Sequence, residues 1–387
     1  MAFMNDLYLS RKPMAALAVI GIAWASYFAQ MPVIKADLGV SDATYGLLVL
    51  ISALGAVGAM FLAPLSERLA GPFSLVVGAV GVSAGFLWVG VAAGPISFML
   101  ALGLASAGSG IIDVSSSARI AGIEARNQRP LMNLNHAFYS FCYAGAALLT
   151  GAARVAGWSP IKVFLVLMVA ILLLCFVMYG PDTHIDEDED DVAVNGKLPT
   201  ALIWITGLIV LMAFLTESST EGWSALHIER SLGGGAGEGA LGPAVLGLTM
   251  GFGRLSGHAV SKYVPDLILM ATACMLSAIG IALAAAATTI QMAYVGFALG
   301  GLGISVVGPL ALAMLGRSVP KKLRTVAISR ASVLGYCAFF MGPAFMGFVS
   351  EGLGLATSFF MIAALLVLVA GILIPMLARN LRKSIKS

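Results

Sequence analysis

The sequence predicts an all-α membrane protein with twelve transmembrane helices in two six-helix bundles, and three observations support this prediction. Of its 387 residues, 59% are hydrophobic and 11% are charged, whereas a soluble domain has about 45–50% apolar and about 25% charged residues. The apolar residues are gathered in long runs, which a single acidic segment divides into two sets of six. The two sets also repeat each other at a constant spacing.

The apolar runs have the length of membrane spans. A hydrocarbon core about 30 Å thick requires about 20 apolar residues in a helix. The 45 glycines do not oppose helices here, because transmembrane helices tolerate glycine and use it for close packing. We expect the first run to be a retained span, since no small-residue cleavage site follows it. The predicted spans are 14–34, 43–65, 73–93, 96–118, 131–153, 161–179, 200–223, 241–260, 267–286, 290–315, 325–349 and 356–378.

The basic residues predict the orientation, because cytoplasmic connections are enriched in Lys and Arg. One set of connections, with both termini, has 17 of the 22 basic residues, and the other set has four. Those four are Lys35, Arg154, Lys162 and Arg230, and Arg330 lies inside a span. Both termini are therefore predicted to be cytoplasmic.

The acidic segment GPDTHIDEDEDDVAVNGKLP follows the sixth run. Without apolar periodicity it is typical of a solvated linker, although His184 and the acidic residues in 186–191 leave a regulatory or metal-collecting role open. It defines an N-terminal bundle (1–180), a linker (181–198) and a C-terminal bundle (199–387). At an offset of 193 residues, Gly58 corresponds to Gly251 and Gly110 to Gly303. Parallel six-helix repeats of this kind are typical of a large class of transporters.

The topology and several motifs resemble the major facilitator superfamily. PLSER lies between spans two and three, and GRLSG lies at the matching place in the second half. The resemblance implies a conformational loop motif formed by Gly58, Glu67, Arg68, Gly253 and Arg254. Glu67 replaces the usual Asp, and the Gly-Pro motif of antiporters is missing from GAALLTGAA in span five. IDVSSSARIAGIEARNQRPLMNLNHAFYSF, ESSTEGWSAL and LGYCAFFMGPAFMGF resemble a branch of bacterial inner-membrane carriers related to fucose permeases.

Two carboxylates in FLTESSTEGW, Glu217 and Glu221, lie towards the outer end of span seven. Their i, i+4 spacing places them on one helix face, which we expect to point into the bundle because hydrocarbon does not tolerate a charge. Both are candidate proton-coupling residues. Alternatively, Glu221 meets interfacial water beside Trp223, read as an aromatic-belt residue.

A second candidate cluster comprises Asp113, His136 and Arg330, which are predicted to lie at similar depth in the inner third of the membrane. Asp113 and His136 are assigned to proton coupling, and Arg330 to substrate binding. Asp113 requires a partner, because a lone Asp in a span costs about 2.5–3.5 kcal/mol. The alternatives are that Arg330 extends to the inner interface and that His136 is a packing residue.

Aromatic residues near the midplane complete the predicted substrate site. Rings with polar tips suit a solute that has one apolar face and some hydroxyl or carboxyl groups; the alternative is that they serve core packing. They are Trp24, Tyr27, Tyr143 and Tyr336. Arg119 is assigned to the same site as a partner for an anionic group.

The sequence lacks the patterns of other chemistries. Its four cysteines are isolated in separate spans and do not have metal-ligand spacing, and no glycine-rich loop ends in GKS or GKT. We therefore expect no enzyme activity, catalytic residue, metal or cofactor. The expected partners are a small-molecule substrate, protons and the lipid bilayer, with no nucleic acid, and the protein is expected to be a monomer.

These observations predict a secondary transporter that works by alternating access, with proton-coupled symport of a small polar organic solute. Proton coupling is expected because histidine and desolvated carboxylates can titrate near physiological pH. The solute is predicted to be sugar-like, or an organic anion that meets Arg119 or Arg330. Proton-driven efflux and a membrane sensor that binds without transport are the alternatives.

The charge distribution makes a topological prediction. A cysteine introduced at Glu238 should react with a membrane-impermeant thiol reagent in intact cells, whereas one at Asp188 should react only after permeabilisation. The reverse labelling pattern would contradict the orientation.

Overall fold

The computed structural model describes residues 2–127, 129, 131–179, 198–260 and 263–384, and within these ranges the regular structure is helical. A short helix, Ala2–Leu9, precedes twelve longer ones. They are α1 (Arg11–Leu38), α2 (Asp42–Ala70), α3 (Ser74–Val89), α4 (Pro95–Asn127), α5 (Met132–Val155), α6 (Pro160–Met178), α7 (Thr200–Leu226), α8 (Ala236–Val260), α9 (Asp266–Ala285), α10 (Ile290–Ser318), α11 (Lys321–Leu353) and α12 (Leu355–Leu368). A π-helical turn, Val369–Leu373, continues α12 into Ile374–Ser384. The predicted all-α class is confirmed.

Ten of the described helices are long and apolar enough to cross a membrane, as judged by length and composition. The two long helices outside this set are α5 and α8. They pack against each other and carry His136, Tyr139 and Arg254 towards the interior. Their lower hydropathy therefore reflects an interior position, where polar side chains do not meet lipid.

Local signals in the sequence fix several helix ends. Gly39 ends α1 with a φ of +62°, a left-handed conformation that favours glycine. Ser41 then caps α2 by accepting a hydrogen bond from the backbone N–H of Thr44. Thr289 caps α10 in the same way through Met292.

Among the helices that extend beyond the predicted spans, two change the depth of a candidate residue. Helix α4 continues to Asn127, nine residues past the predicted end at 118, so that Asp113 lies near the middle of the helix. Helix α7 continues through a π-helical turn, His227–Ser231. Glu221 therefore lies more than two turns before the end of its helix.

The two sets of six helices meet through two symmetric pairs. Helix α2 packs against α11, and α5 packs against α8. The repeat offset of 193 residues relates α2 to α8 and α5 to α11. The α2–α11 contact and the α5–α8 contact are therefore equivalent under the repeat. This arrangement agrees with the internal repeat. The predicted linker lies outside the described residues except for Leu198, and the domain boundaries stay a prediction.

Glycines allow α2 and α11 to approach closely. A Cβ atom at Gly347 would lie 2.3 Å from the backbone oxygen of Asp42, and one at Gly46 would lie 2.4 Å from that of Pro343. Any side chain at these positions must separate the helices, because both obstacles are backbone atoms. The contact depends on the small-residue packing that is common between membrane helices.

Ion pairs join the two sets of helices at the end of the molecule where α1 ends and α2 begins. Arg230 forms two hydrogen bonds to the carboxylate of Asp42, at 2.9 and 2.7 Å, and Lys35 lies 2.8 Å from the same carboxylate. Arg154 forms a similar bidentate pair with Glu229, at 2.6 and 3.0 Å. Three of the four basic residues predicted on the outer side are thus neutralised here. We call the Asp42–Arg230 and Arg154–Glu229 pairs, with Lys35, the closing network.

The close approach of α2 and α11 generates a prediction. Gly347→Val should force the helices apart and open this end of the molecule. In a cysteine-free background, a cysteine at the cavity residue Ala53 should then react several-fold faster with an impermeant thiol reagent added from this side.

Gly352→Val is the matched control, because a Cβ at Gly352 meets no atom within 4 Å. Equal labelling rates in the Gly347→Val and Gly352→Val proteins would show that the close approach is not required for closure.

Candidate functional site

A central cavity of about 300 Å³ lies between the two sets of helices. This volume is at the lower end of the range for small-molecule sites. Ten of its 29 lining residues are aromatic, and four carry a formal charge at neutral pH. The charged residues are Asp113, Glu217, Glu221 and Arg254.

Glu217 is paired with Arg254. The guanidinium of Arg254, on α8, donates to Glu217 Oε1 at 3.0 Å and to Ser140 Oγ, on α5, at 2.5 Å. Both charged side chains are largely buried, with exposures of 13% and 12%. Arg254 therefore joins α7 to α5 across the boundary between the two sets of helices.

Arg254 was predicted to belong to a conformational loop motif, and the structure corrects this assignment. The residue lies inside α8 and lines the cavity. The sequence signal was available, since residue 254 falls within the predicted span 241–260 and an intramembrane arginine is itself a candidate functional residue. Its neighbour Gly253 serves close packing, because a Cβ there would lie 2.1 Å from Ser305 Oγ.

Glu221 also lines the cavity but has no hydrogen bond or ion pair within the described part of the chain. Its exposure is only 6%. The burial of Glu221 and the continuation of α7 beyond it favour a position in the cavity over one in interfacial water. Trp223 is likewise not an aromatic-belt residue: it is 2% exposed and packs perpendicular to Tyr45, with 6.1 Å between ring centroids.

Asp113 contacts Tyr336 and not the predicted partners. The Tyr336 hydroxyl, on α11, donates to Asp113 Oδ2, on α4, at 3.0 Å. This hydrogen bond crosses from one set of helices to the other inside the cavity. Tyr336 is in turn surrounded by Phe214 and Phe339, with ring centroids 5.9 and 6.1 Å away.

The other two members of the predicted inner cluster are separated. His136 lines the cavity, but Arg330 is exposed on α11 and does not line it. Arg330 shares a helix face with Met341 and Phe348, which are 50% and 58% exposed. This position favours the alternative in which Arg330 extends its guanidinium to the membrane interface.

The polar tips of the cavity aromatics are bonded to the protein. The indole N–H of Trp24 donates to Ser109 Oγ at 2.9 Å, and the hydroxyls of Tyr27 and Tyr45 lie 2.6 Å apart. The cavity therefore meets their rings more than their hydrogen-bonding groups. Tyr143 is fully buried against Gly247 and is not a lining residue, so its assignment to the substrate site is not supported.

Arg119 also lies outside the cavity lining. Its guanidinium donates to Glu67 at 3.1 and 3.2 Å and to Ser74 Oγ at 2.8 Å. Arg119 thus ties α4 to the end of α2 and the start of α3. Glu67, which accepts these hydrogen bonds, belongs to the predicted loop motif. Two other members of that motif, Gly58 and Arg68, are exposed. The structure places Arg119 with this motif instead of the substrate site.

Several cavity residues were not identified from the sequence. Tyr139 lies close enough to interact electrostatically with Asp113, Glu217, Glu221 and Arg254. Its spacing of three residues from His136 places both on one helix face, which was a usable signal. Phe214 and Phe339 carried no such signal, because one apolar residue in a span resembles another. Within the described residues, no cluster of three or more His, Cys, Asp or Glu could hold a metal ion.

Comparison with known proteins places these features in context. A family model described as Major Facilitator Superfamily matches residues 14–294. An uncharacterised MFS-type transporter of Yersinia pestis is 26% identical over 365 residues, which are 92% of each chain. An uncharacterised transporter of Sinorhizobium fredii is 27% identical over 373 residues, covering 94% of this chain and 96% of the relative.

Solved structures support the fold. A bacterial homologue of the human lysosomal transporter Spinster, in an inward-facing and occupied conformation, superimposes with a TM-score of 0.72 at 16% identity, over 97% of each chain. The nucleoside transporter NupG gives a TM-score of 0.70 at 13% identity, over 96% of this chain and 99% of that one. Because the family model matches most of its length, the chain belongs to the Major Facilitator Superfamily.

Proposed function

We propose that the protein is a secondary active transporter that moves a small organic solute by alternating access and couples the movement to protons. The observation that carries this proposal is the Asp113–Tyr336 hydrogen bond, which joins the two sets of helices inside the cavity. A carboxylate at a moving boundary changes its interactions when it gains or loses a proton. Protonation of Asp113 can thereby be linked to rocking of the two bundles.

The closing network supports alternating access. Asp42–Arg230 and Arg154–Glu229 connect opposite sets of helices at one end, and they must break for the cavity to open there. With the termini in the cytoplasm, this end faces the periplasm and the structure is inward-facing. That orientation and the location in a bacterial inner membrane are parts of the proposal.

Asp113 replaces Glu217 as our leading coupling residue. Glu217 already has a cationic partner in Arg254, whereas Asp113 has no basic partner among the described residues. A carboxylate without a counter-ion must be neutralised before a low-dielectric face closes over it. Glu217 and Arg254 then form a second connection between the bundles, through Ser140.

In this proposal the solute enters the cell together with protons, by symport. The protein is proposed to act as a monomer. An organic anion is the less favoured form, because neither Arg119 nor Arg330 lines the cavity. The resemblance to carriers related to fucose permeases stays a prediction, as does a sugar-like substrate. Proton-driven efflux is the alternative within the same mechanism.

Coupling at Asp113 predicts a specific defect. Proteoliposomes that contain a pH-sensitive dye are screened with amines, polyols and carboxylates added outside. We expect at least one solute to acidify the lumen with the wild-type protein, because proton and solute enter together. Asp113→Asn should abolish this acidification but keep exchange of labelled solute, since exchange does not require release of the proton.

Asp37→Asn is the control, since Asp37 is an exposed carboxylate near the end of α1 and should behave as the wild type. Unchanged proton movement in Asp113→Asn would refute this assignment. Alkalinisation of the lumen would indicate efflux by exchange, and solute binding without any flux would indicate a sensor.

A further inference from the structure

We propose that the transported solute is an organic monocation with an apolar or aromatic body, whose positive group is bound by Glu221. This inference deepens the proposed transport function and rests on it. It depends on three features of the cavity: its charge balance, the position of Glu221, and the aromatic rings whose polar atoms are bonded to the protein.

The described cavity lining has an excess of negative charge. It contains three carboxylates and one guanidinium, so two negative charges remain when His136 is neutral. The guanidinium of Arg254 is occupied by Glu217 and Ser140. Asp113 and Glu221 form no ion pair with a basic side chain in the described part of the chain.

An occluded transporter cavity must be close to neutral, because an unpaired charge in a low-dielectric interior is costly. One proton on Asp113 and one positive charge beside Glu221 would neutralise the excess. A solute with a single positive charge meets this balance and is compatible with symport. An anionic solute would increase the imbalance, and no unoccupied arginine of the lining is available to bind it.

Glu221 has the position of a ligand-binding carboxylate. Its side chain lines the cavity at only 6% exposure and forms no hydrogen bond or ion pair in the described part of the chain. A buried carboxylate normally has donors around it, so the missing donor is one that the solute can supply. An ammonium group provides both hydrogen-bond donors and the opposite charge.

The aromatic lining suits the rest of such a solute. Trp24 and Tyr27 use their polar atoms on Ser109 and Tyr45, and the Tyr336 hydroxyl is used on Asp113. Their rings are left to contact the solute, and ring faces attract cations as well as apolar groups. A polyhydroxylated sugar would find few free hydrogen-bonding groups on these side chains.

The test compares three probes of similar size, each with one phenyl ring, on the purified full-length protein at neutral pH. Phenethylammonium is positive, phenethyl alcohol is neutral and phenylacetate is negative. Binding is measured by isothermal titration calorimetry, with quenching of tryptophan fluorescence as a second readout. We expect phenethylammonium to bind at least about tenfold more tightly than the alcohol, and phenylacetate to bind most weakly.

Glu221→Gln should reduce the affinity for phenethylammonium to that for the alcohol, whereas Glu238→Gln, which changes an exposed carboxylate, should keep the preference. The wild-type comparison needs no variant and decides the matter if Glu221→Gln does not fold. The inference is overturned if the alcohol or phenylacetate binds as tightly as the ammonium, if no probe binds at millimolar concentration, or if folded Glu221→Gln keeps the preference.

This binding measurement is independent of proton flux. A cation preference that depends on Glu221, without solute-driven proton movement, would support the inference and count against the proposed coupling. Proton movement driven by a neutral or anionic solute, without a cation preference, would overturn the inference and leave the coupling in place.

Discussion

The structure depends on the need to neutralise charges that are removed from water. The protein has few charged residues, and most of those inside the described bundle are paired with an opposite charge. Asp42 is shared by Lys35 and Arg230, and Arg154 is held by Glu229. Each pair is favourable only while its members remain in contact, because separation would leave a desolvated charge. Charge pairing therefore joins the two sets of helices at this end of the molecule.

Close helix packing provides the geometry in which these pairs form. Gly46 and Gly347 let α2 and α11 approach until backbone atoms nearly touch. The symmetric pair, α5 and α8, brings Arg254 to Ser140 and Glu217. Two contacts related by the internal repeat thus enclose a cavity between the two sets of helices.

The cavity combines rings and carboxylates in a way that individual residues did not reveal. Trp24, Tyr27 and Tyr336 have their polar atoms bonded to protein partners, so they offer rings to a ligand. Glu221 keeps an unpartnered carboxylate beside them. The distinction between paired and unpaired acids is what separates a structural carboxylate from one that can bind a proton or a cation.

The sequence alone determined the class and the number of long helices, because span length and hydropathy are local properties that the bilayer imposes. It also identified Asp113, Glu217 and Glu221 as unusual, since a carboxylate in an apolar run is costly wherever it points. Only the tertiary structure decided their partners. Arg330 and Asp113 were expected together from depth, yet helix rotation places Arg330 on an exposed face. Arg119 pairs with Glu67, and Arg254 moves from a loop motif to the cavity. Rotation and pairing depend on contacts between residues far apart in the chain, which a one-dimensional pattern does not contain.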